Sequence, residues 1–157
     1  IIILLTATFF SSCSMFKKDV PNVIKFENII IYNNDFDSLS SLLIKDSSYV
    51  IDSIGKESDL IVSSYISTSI CFLSPSKDTI LSKGNLKVTG IVDYGTESYP
   101  YAPSLGYFDM EFINVGHWYY IKTENNIYSR IFVKSYNEES VIISLEILAD
   151  TGTYFGE

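Results

Sequence analysis

Several residue types are scarce in this 157-residue chain, and each scarcity excludes a class of protein. Four Pro and eight Gly exclude collagen-like chains and Pro/Gly-rich polymers. Eleven Lys and Arg stand against nineteen Asp and Glu, a formal net charge of -8, and this balance argues against nucleic acid as a partner. The single His excludes a two-His zinc site within one chain, and the two Cys lack metal-ligand spacing.

Motifs of catalysis are also missing from the sequence. There is no GxSxG nucleophile elbow, phosphate-binding loop or dinucleotide fingerprint. Carboxylate pairs occur at Asp109/Glu111 and Glu138/Glu139, and residues two apart on a strand share a face. Glycosidases use such pairs, but a solvated strand face is the ordinary explanation for them. We therefore predict that the protein is not an enzyme.

Apolar residues are plentiful, at 46% of the chain with 15% aromatic, which excludes an intrinsically disordered protein. Residues 1–10 form a nearly continuous apolar run without charge. Crossing a bilayer takes about 20 apolar residues, so this shorter run predicts a signal-peptide core. Because no Met or basic leader precedes Ile1, we expect the sequence to begin inside the signal peptide. The alternative is a buried apolar strand with Cys13 in the core.

The segment Phe10-Ser11-Ser12-Cys13 resembles the cleavage box of bacterial lipoproteins, in which small residues precede an obligatory Cys. Phe10 stands where Leu is commonest. The resemblance implies that Cys13 is acylated, with palmitate or a similar chain, and becomes the first residue of the mature protein. Two or more acyl chains hold a protein stably on a membrane. We expect a protein of the bacterial cell envelope, anchored by lipid and facing the periplasm or the outside.

This interpretation divides the chain into a signal peptide at residues 1–12, a tether at 13–22 and a folded domain at 23–157. The second cysteine, Cys71, lies in an apolar stretch, which predicts a small buried hydrophobe. A Cys13–Cys71 disulfide is the alternative for an exported protein that escapes lipidation.

Runs rich in β-branched and aromatic residues, bounded by Ser, Asp, Asn, Gly or Pro, predict strands throughout the folded domain. They cover residues 23–32, 60–62, 69–73, 86–92, 117–123, 127–136 and 141–148. The last three, joined by short polar turns, predict a C-terminal antiparallel meander. We therefore predict an all-β domain, either an antiparallel sandwich or a flattened barrel. Residues 37–44 are compatible with one short helix that begins at Asp37 or Ser38.

The C-terminal segment resembles the HmuY-like haem-binding lipoproteins. The likeness lies in Gly116-His117-Trp118-Tyr119-Tyr120-Ile121-Lys122-Thr123, in residues 127–131 and in the Gly-containing aromatic tail at 150–155. Asn126-Ile127 and Arg130 depart from the family pattern. The resemblance implies an all-β, exported, lipid-anchored binding protein without catalytic activity.

Members of that family hold haem iron with two axial side chains, usually His and sometimes Met. In this chain the resemblance leaves His117 and Met110 as the candidate pair, since Met15 lies in the tether. Haem is thus the candidate cofactor. The alternative is that His117 is a strand-edge residue beside Trp118 and that Met110 belongs to the core.

Residues 93–107, which we name the tyrosine loop, combine Gly and Pro with four tyrosines: Tyr94, Tyr99, Tyr101 and Tyr107. Turn-forming residues predict a loop, and loops on a β scaffold commonly carry recognition. A tyrosine presents a flat apolar face and a hydroxyl, which suit contact with sugars, porphyrins or proteins. The loop is therefore a candidate ligand-binding surface for a small molecule, a glycan or a protein. The alternative is that its tyrosines cover an open end of the core.

Overall fold

Two antiparallel sheets of five strands each make up the protein in a computed structural model. The structure describes residues 21–66, 69–77, 84, 87–149 and 152–156. The predicted signal peptide at 1–12, Cys13 and most of the predicted tether at 13–22 lie outside these residues. No helix in the described part of the chain is both long enough and apolar enough to traverse a bilayer.

Ten strands and one short 3₁₀ helix follow one another along the chain. They are β1 (Val23–Tyr32), β2 (Ser41–Lys45), β3 (Ser48–Asp52), β4 (Leu60–Ile66), β5 (Ser69–Leu73), η1 (Pro75–Lys77), β6 (Gly90–Asp93), β7 (Met110–Phe112), β8 (Trp118–Lys122), β9 (Tyr128–Tyr136) and β10 (Ser140–Leu148).

The first sheet has the strand order β1-β10-β9-β8-β6, and the second has the order β3-β2-β4-β5-β7. The edge strands are β1 and β6 in the first sheet and β3 and β7 in the second. Because the two edge strands of a sheet do not pair with each other, neither sheet closes into a barrel. The two sheets pack face to face as a sandwich, which confirms the all-β prediction in its sandwich form. The predicted meander is also confirmed, because β8, β9 and β10 pair consecutively and antiparallel.

The main core lies between the two sheets and follows the two-residue period of the strands. On β9, Ile131 and Val133 point into this core and are fully buried, whereas Arg130 lies on the opposite face. Leu42 and Phe72 enter the same core from the second sheet. Burial of each such side chain stabilises the fold by roughly 1.5–3 kcal/mol.

A β-bulge interrupts β1 where Glu27 and Asn28 lie, between the paired residues Phe26 and Ile29. Asn28 adopts a φ of 56°, a left-handed conformation that Asn tolerates better than most residues. The bulge lets the Glu27 carboxylate accept hydrogen bonds from Lys134 and from the Ser144 hydroxyl. These bonds, that of Lys134 first, lower the pKa of Glu27 below its ordinary value of 4.5.

The predicted helix at residues 37–44 is wrong. Asn33 organises a turn by accepting the Asp35 N–H through its side chain, and the chain then enters β2. Leu42 and Ile44 are buried and two residues apart, which fits the period of a strand pairing with β3 and β4. The predicted strand at 86–92 also differs, since the described strand there, β6, begins at Gly90.

Each sheet carries a smaller apolar cluster on its outer face. On the second sheet the cluster contains Ile54, Ile61, Cys71 and Leu73, with Met110 packed against it. Cys71 is fully buried, as predicted, and its thiol donates to the Ser63 carbonyl oxygen at 3.2 Å. On the first sheet the cluster consists of Val92, Ala102, Tyr120, Leu148 and Phe155. The tyrosine loop and the C-terminal tail (residues 152–156) cover this cluster with Ala102 and Phe155.

Candidate functional site

The tyrosine loop leaves the end of β6 and folds back over the outer face of the first sheet. It pairs there with the C-terminal tail, because Ala102 donates its N–H to the Thr153 carbonyl and Phe155 donates to the Pro100 carbonyl. Tyr101 and Tyr154 form an isolated β-bridge beside these bonds. The middle of the loop is thus fixed to the C-terminal tail.

Arg130, on β9, lies beneath the loop and is buried, with 7% of its surface exposed. Its Nη1 donates to the Tyr99 carbonyl oxygen at 2.9 Å, and its Nε donates to Glu146 at 2.7 Å. The guanidinium lies between two aromatic rings, 5.0 Å from the Trp118 centroid and 4.8 Å from that of Phe155. These distances are in the range of cation–π attraction, so Arg130 joins the sheet, the loop and the tail.

Tyr120, on β8, holds the same point of the loop. Its buried hydroxyl donates to the Tyr99 carbonyl and accepts the Tyr99 N–H at 2.7 Å. Its ring meets those of Tyr94 and Phe155 edge to face, at 5.3 and 5.8 Å between centroids. Both main-chain groups of Tyr99 are therefore bonded from below. Its side chain faces outward, where the ring packs edge to face on Tyr94 and the hydroxyl donates to Glu97.

The outer surface of the loop is a groove with a volume of about 600 Å³, which we name the tyrosine groove. Its lining residues are Tyr94, Tyr99, Pro100, Tyr101, Ala102, Pro103 and Ser104. Three of the predicted ligand residues therefore meet here, and they are 37%, 44% and 60% exposed in the order Tyr94, Tyr99, Tyr101. Next to the groove the rings of Tyr101 and Tyr154 lie 4.8 Å apart at an angle of 36°.

Tyr107, the fourth predicted loop tyrosine, does not line this groove. It packs on Gly90 of β6, where an added Cβ would lie 2.7 Å from the Tyr107 Cβ. Its buried hydroxyl has no hydrogen-bond partner among the described residues, and burial raises its pKa well above the usual range. The structure therefore places Tyr107 in the cover of the sheet, as the alternative interpretation expected for the loop's tyrosines.

His117 directly precedes β8 and contacts Asp93, the first residue of the tyrosine loop, with Nδ1 at 2.9 Å from both carboxylate oxygens. Asp93 also accepts the Gly95 N–H at 2.7 Å and is 3.4 Å from the Asn114 amide nitrogen. The observed contacts of His117 thus fix the turn that opens the loop.

Met110 packs on the outer face of the second sheet, against the cluster that contains Leu73 and Cys71. It shares no described contact with His117, whose imidazole meets Asp93 instead. The candidate haem ligands therefore have different neighbours, His117 on the first sheet and Met110 in the second, and nothing described gives them a common pocket.

A second concavity, of about 490 Å³, lies at the end of β6 and β8. Its lining includes the predicted ligand residue Tyr107, together with Thr89, Asp109 and Lys122, but neither candidate haem ligand. The Thr89 hydroxyl has no hydrogen-bond partner within the described residues.

The carboxylate pairs have ordinary structural surroundings. Asp109 forms an ion pair with Lys77 at 3.2 Å. Burial, and next the charge of Asp93, raise the pKa of Glu111. Glu138 and Glu139 are exposed in the turn between β9 and β10. No group of three or more potential metal ligands occurs in the part of the chain that the structure describes.

Sequence reasoning missed the residues that hold the loop, namely Arg130, Tyr120 and Glu146. Side chains alternate between the two faces of a strand, so the predicted strand at 127–136 has Arg130 on the face opposite to Ile131, where a charged residue suggests solvent. The sequence did contain a signal for this ion pair. Glu146 lies on β10, the strand after β9, and it is the residue that pairs with Arg130 in the sheet. Two opposite charges inside apolar strands indicate a covered ion pair.

Comparison with protein-family models gives no match, and comparison with curated proteins gives none either. Among solved structures, the fold resembles a DUF4466 family protein from Parabacteroides merdae, with a TM-score of 0.64 and 11% sequence identity. The match covers 82% of this chain and 54% of that one, so the chain spans about half the length of the solved structure. At this identity the likeness concerns the fold alone.

Proposed function

We propose that the chain is a lipid-anchored binding protein of the bacterial cell envelope, and that the tyrosine groove is its contact surface. The observation that carries the proposal is the arrangement of the loop. Tyr94, Tyr99 and Tyr101 face solvent, while Arg130 and Tyr120 fix the Tyr99 main chain from beneath.

This arrangement favours binding because it reduces the entropic cost of ordering the surface when a ligand arrives. A loop that merely covered a core would turn its tyrosine hydroxyls inward, as Tyr107 does. Instead three rings form an open concave surface of about 600 Å³, which is within the size range of ligand sites. Tyrosine is enriched at such contact surfaces because its ring is apolar and its hydroxyl forms hydrogen bonds.

The anchoring part of the proposal rests on the sequence of residues 1–13. An uncharged apolar run followed by Ser11-Ser12-Cys13 is what export and lipoprotein processing require, and a di- or triacylated cysteine holds a domain stably on a membrane. The likeness to HmuY-like lipoproteins supports the same location. Haem is not included in the proposed function, because His117 and Met110 have different neighbours on different sheets.

Labelling tests the anchor directly. Bacterial cells that express the chain from its complete gene, with the whole signal peptide, would be grown with radiolabelled palmitate, beside cells that express Cys13→Ser in the same way. We expect label on the wild-type chain and none on the variant, with Cys71 as the internal control since it is present in both. An unlabelled wild-type chain, or equal label on both chains, would overturn the lipid anchor.

A second experiment tests the contact surface. Full-length chain solubilised in detergent would be assayed against polysaccharides and membrane proteins extracted from bacterial envelopes. The triple variant Tyr94→Ala/Tyr99→Ala/Tyr101→Ala is expected to lose the wild-type interaction. Tyr136→Ala is the matched control, since Tyr136 is 46% exposed on β9 and lies outside the groove. Undiminished binding by the triple variant would contradict the proposal.

A further inference from the structure

The main chain of the tyrosine groove is already occupied by internal hydrogen bonds. The N–H and C=O of Tyr99 are bonded to Tyr120, the C=O of Pro100 accepts from Phe155, and the N–H of Ala102 donates to the tail. Pro100 and Pro103 have no N–H to offer. A peptide that adds a strand needs free main-chain groups on its host, so strand addition is disfavoured in the groove.

A ligand in the groove would therefore be bound by side chains, chiefly by the rings and hydroxyls of tyrosines. Tyr94, Tyr99 and Tyr101 expose their rings, and Tyr154 extends the surface through its contact with Tyr101. A pyranose ring has apolar C–H faces and a rim of hydroxyls. Such a molecule can stack on a tyrosine face and exchange hydrogen bonds with a tyrosine hydroxyl in one pose.

The charges around the groove decide which glycans fit. None of the described residues that line it is charged. Glu97 lies at its edge, accepting a hydrogen bond from the Tyr99 hydroxyl at 3.2 Å, and the whole chain carries -8. The Arg130 guanidinium is buried and paired with Glu146, so it is not available to a ligand. Uronic acids, sulfated sugars and phosphates would meet negative charge without a compensating cation.

We propose that the tyrosine groove binds neutral glycan chains by stacking sugar rings on Tyr99 and Tyr101. The inference rests on the proposed function and names its ligand class. Affinity resides in the exposed rings, and selectivity against acidic glycans comes from Glu97 and from the absence of cations among the lining residues.

Affinity electrophoresis tests this inference with defined probes. Native gels would contain one neutral polysaccharide each (dextran, mixed-linkage β-glucan or galactomannan) or one acidic polysaccharide (polygalacturonate or heparin). We expect the detergent-solubilised full chain to be retarded by at least one neutral polymer and by neither acidic polymer. Tyr101→Ala should raise the dissociation constant obtained from the retardation about tenfold, which corresponds to 1.4 kcal/mol, and Tyr136→Ala should leave it unchanged.

Two further variants keep the result interpretable. Tyr101→Trp retains a larger stacking face and should bind at least as well as the wild-type chain. Glu97→Gln removes the negative charge at the edge and should relax the rejection of polygalacturonate. Wild-type emission from Trp118, which packs against Arg130 and Phe132, confirms that the Ala and Gln variants are folded. Tyr101→Trp adds a second Trp, so its fold is checked by its far-UV circular dichroism.

The outcomes separate this inference from the proposed function. Retardation by acidic polymers only, by no neutral polymer, or equally in Tyr101→Ala would overturn the neutral-glycan inference. If the groove variants instead lost binding to an envelope protein, the inference would fail while the groove remained the contact surface. Loss of palmitate labelling would affect the anchor alone.

Discussion

Replacing Arg130 with Met should loosen the tyrosine loop and destabilise the whole fold. Met fills most of the volume of the Arg stem but removes the guanidinium. Three contacts are lost: the hydrogen bond to the Tyr99 carbonyl at 2.9 Å, the ion pair with Glu146 at 2.7 Å and the stacking between Trp118 and Phe155. The Tyr99 carbonyl retains its bond from Tyr120, so the loop keeps one of its two attachments there.

The size of the effect follows from these contacts. A hydrogen bond to a charged group contributes about 1.5–3 kcal/mol, and cation–π stacking adds roughly 0.5–2 kcal/mol. A buried charge that loses its partner costs about 3–5 kcal/mol, but Glu146 keeps Lys25 at 2.9 Å, which reduces this penalty. We expect Arg130→Met to lower the free energy of unfolding by about 3 kcal/mol. For a domain of this size that lowers the Tm by about 6–12 °C.

Urea unfolding, followed by the fluorescence of the single Trp, measures this loss. The double variant Arg130→Met/Glu146→Met removes both buried charges and should regain about 1–2 kcal/mol relative to the single variant. Hydrogen exchange at the Tyr99 amide should also accelerate in the single variant. A loss below about 0.5 kcal/mol, or a double variant no more stable than Arg130→Met, would refute the assignment of Arg130 as the anchor.

Three other predictions concern separate parts of the molecule. Haemin should give the same Soret spectrum with the wild-type chain and with His117→Ala, and a wild-type shift that the variant loses would contradict the geometry. Because the pKa of Glu27 is lowered in the folded state, its contribution is present above the ordinary value of 4.5 and is lost as the pH falls through the lowered value. The free energy of unfolding should therefore depend less on pH below about 4.5 in Glu27→Gln than in the wild-type chain. The same dependence on pH in both chains would contradict this prediction. Gly90→Ala should cost about 1–3 kcal/mol by thermal unfolding, since its methyl group would meet Tyr107. Gly55→Ala, where the nearest atom is 3.8 Å away, is its control, and equal costs would contradict the close approach.

The strands that the sequence predicts well are those with long apolar or β-branched runs. β1 and β5 have the predicted bounds, and β9 and β10 differ from theirs by one residue each. β2 and β3 escaped prediction because each has only five residues, and their burial depends on the strands with which they pair in the second sheet. β7 has only three residues, too few for any period to be visible.

The sequence was enough to predict which tyrosines belong to the candidate site, but not which of them share one surface. Turn residues and aromatic content identify the loop, and three of its four tyrosines do line one groove. What the sequence could not supply was the position of Arg130, because its burial depends on a loop and a tail that fold over it. Tyr107 and Tyr101 look alike in the sequence, and only packing against Gly90 separates them.

Hydroxyl-radical footprinting with mass spectrometry tests the central claim most directly, since it reports which tyrosines a ligand covers. The full chain would be oxidised alone and with the neutral polysaccharide that retards it most strongly. We predict protection of Tyr99 and Tyr101 and unchanged oxidation of Tyr136. Unchanged oxidation at Tyr99 and Tyr101, with protection elsewhere on the sandwich, would contradict the claim that the tyrosine groove is the contact surface.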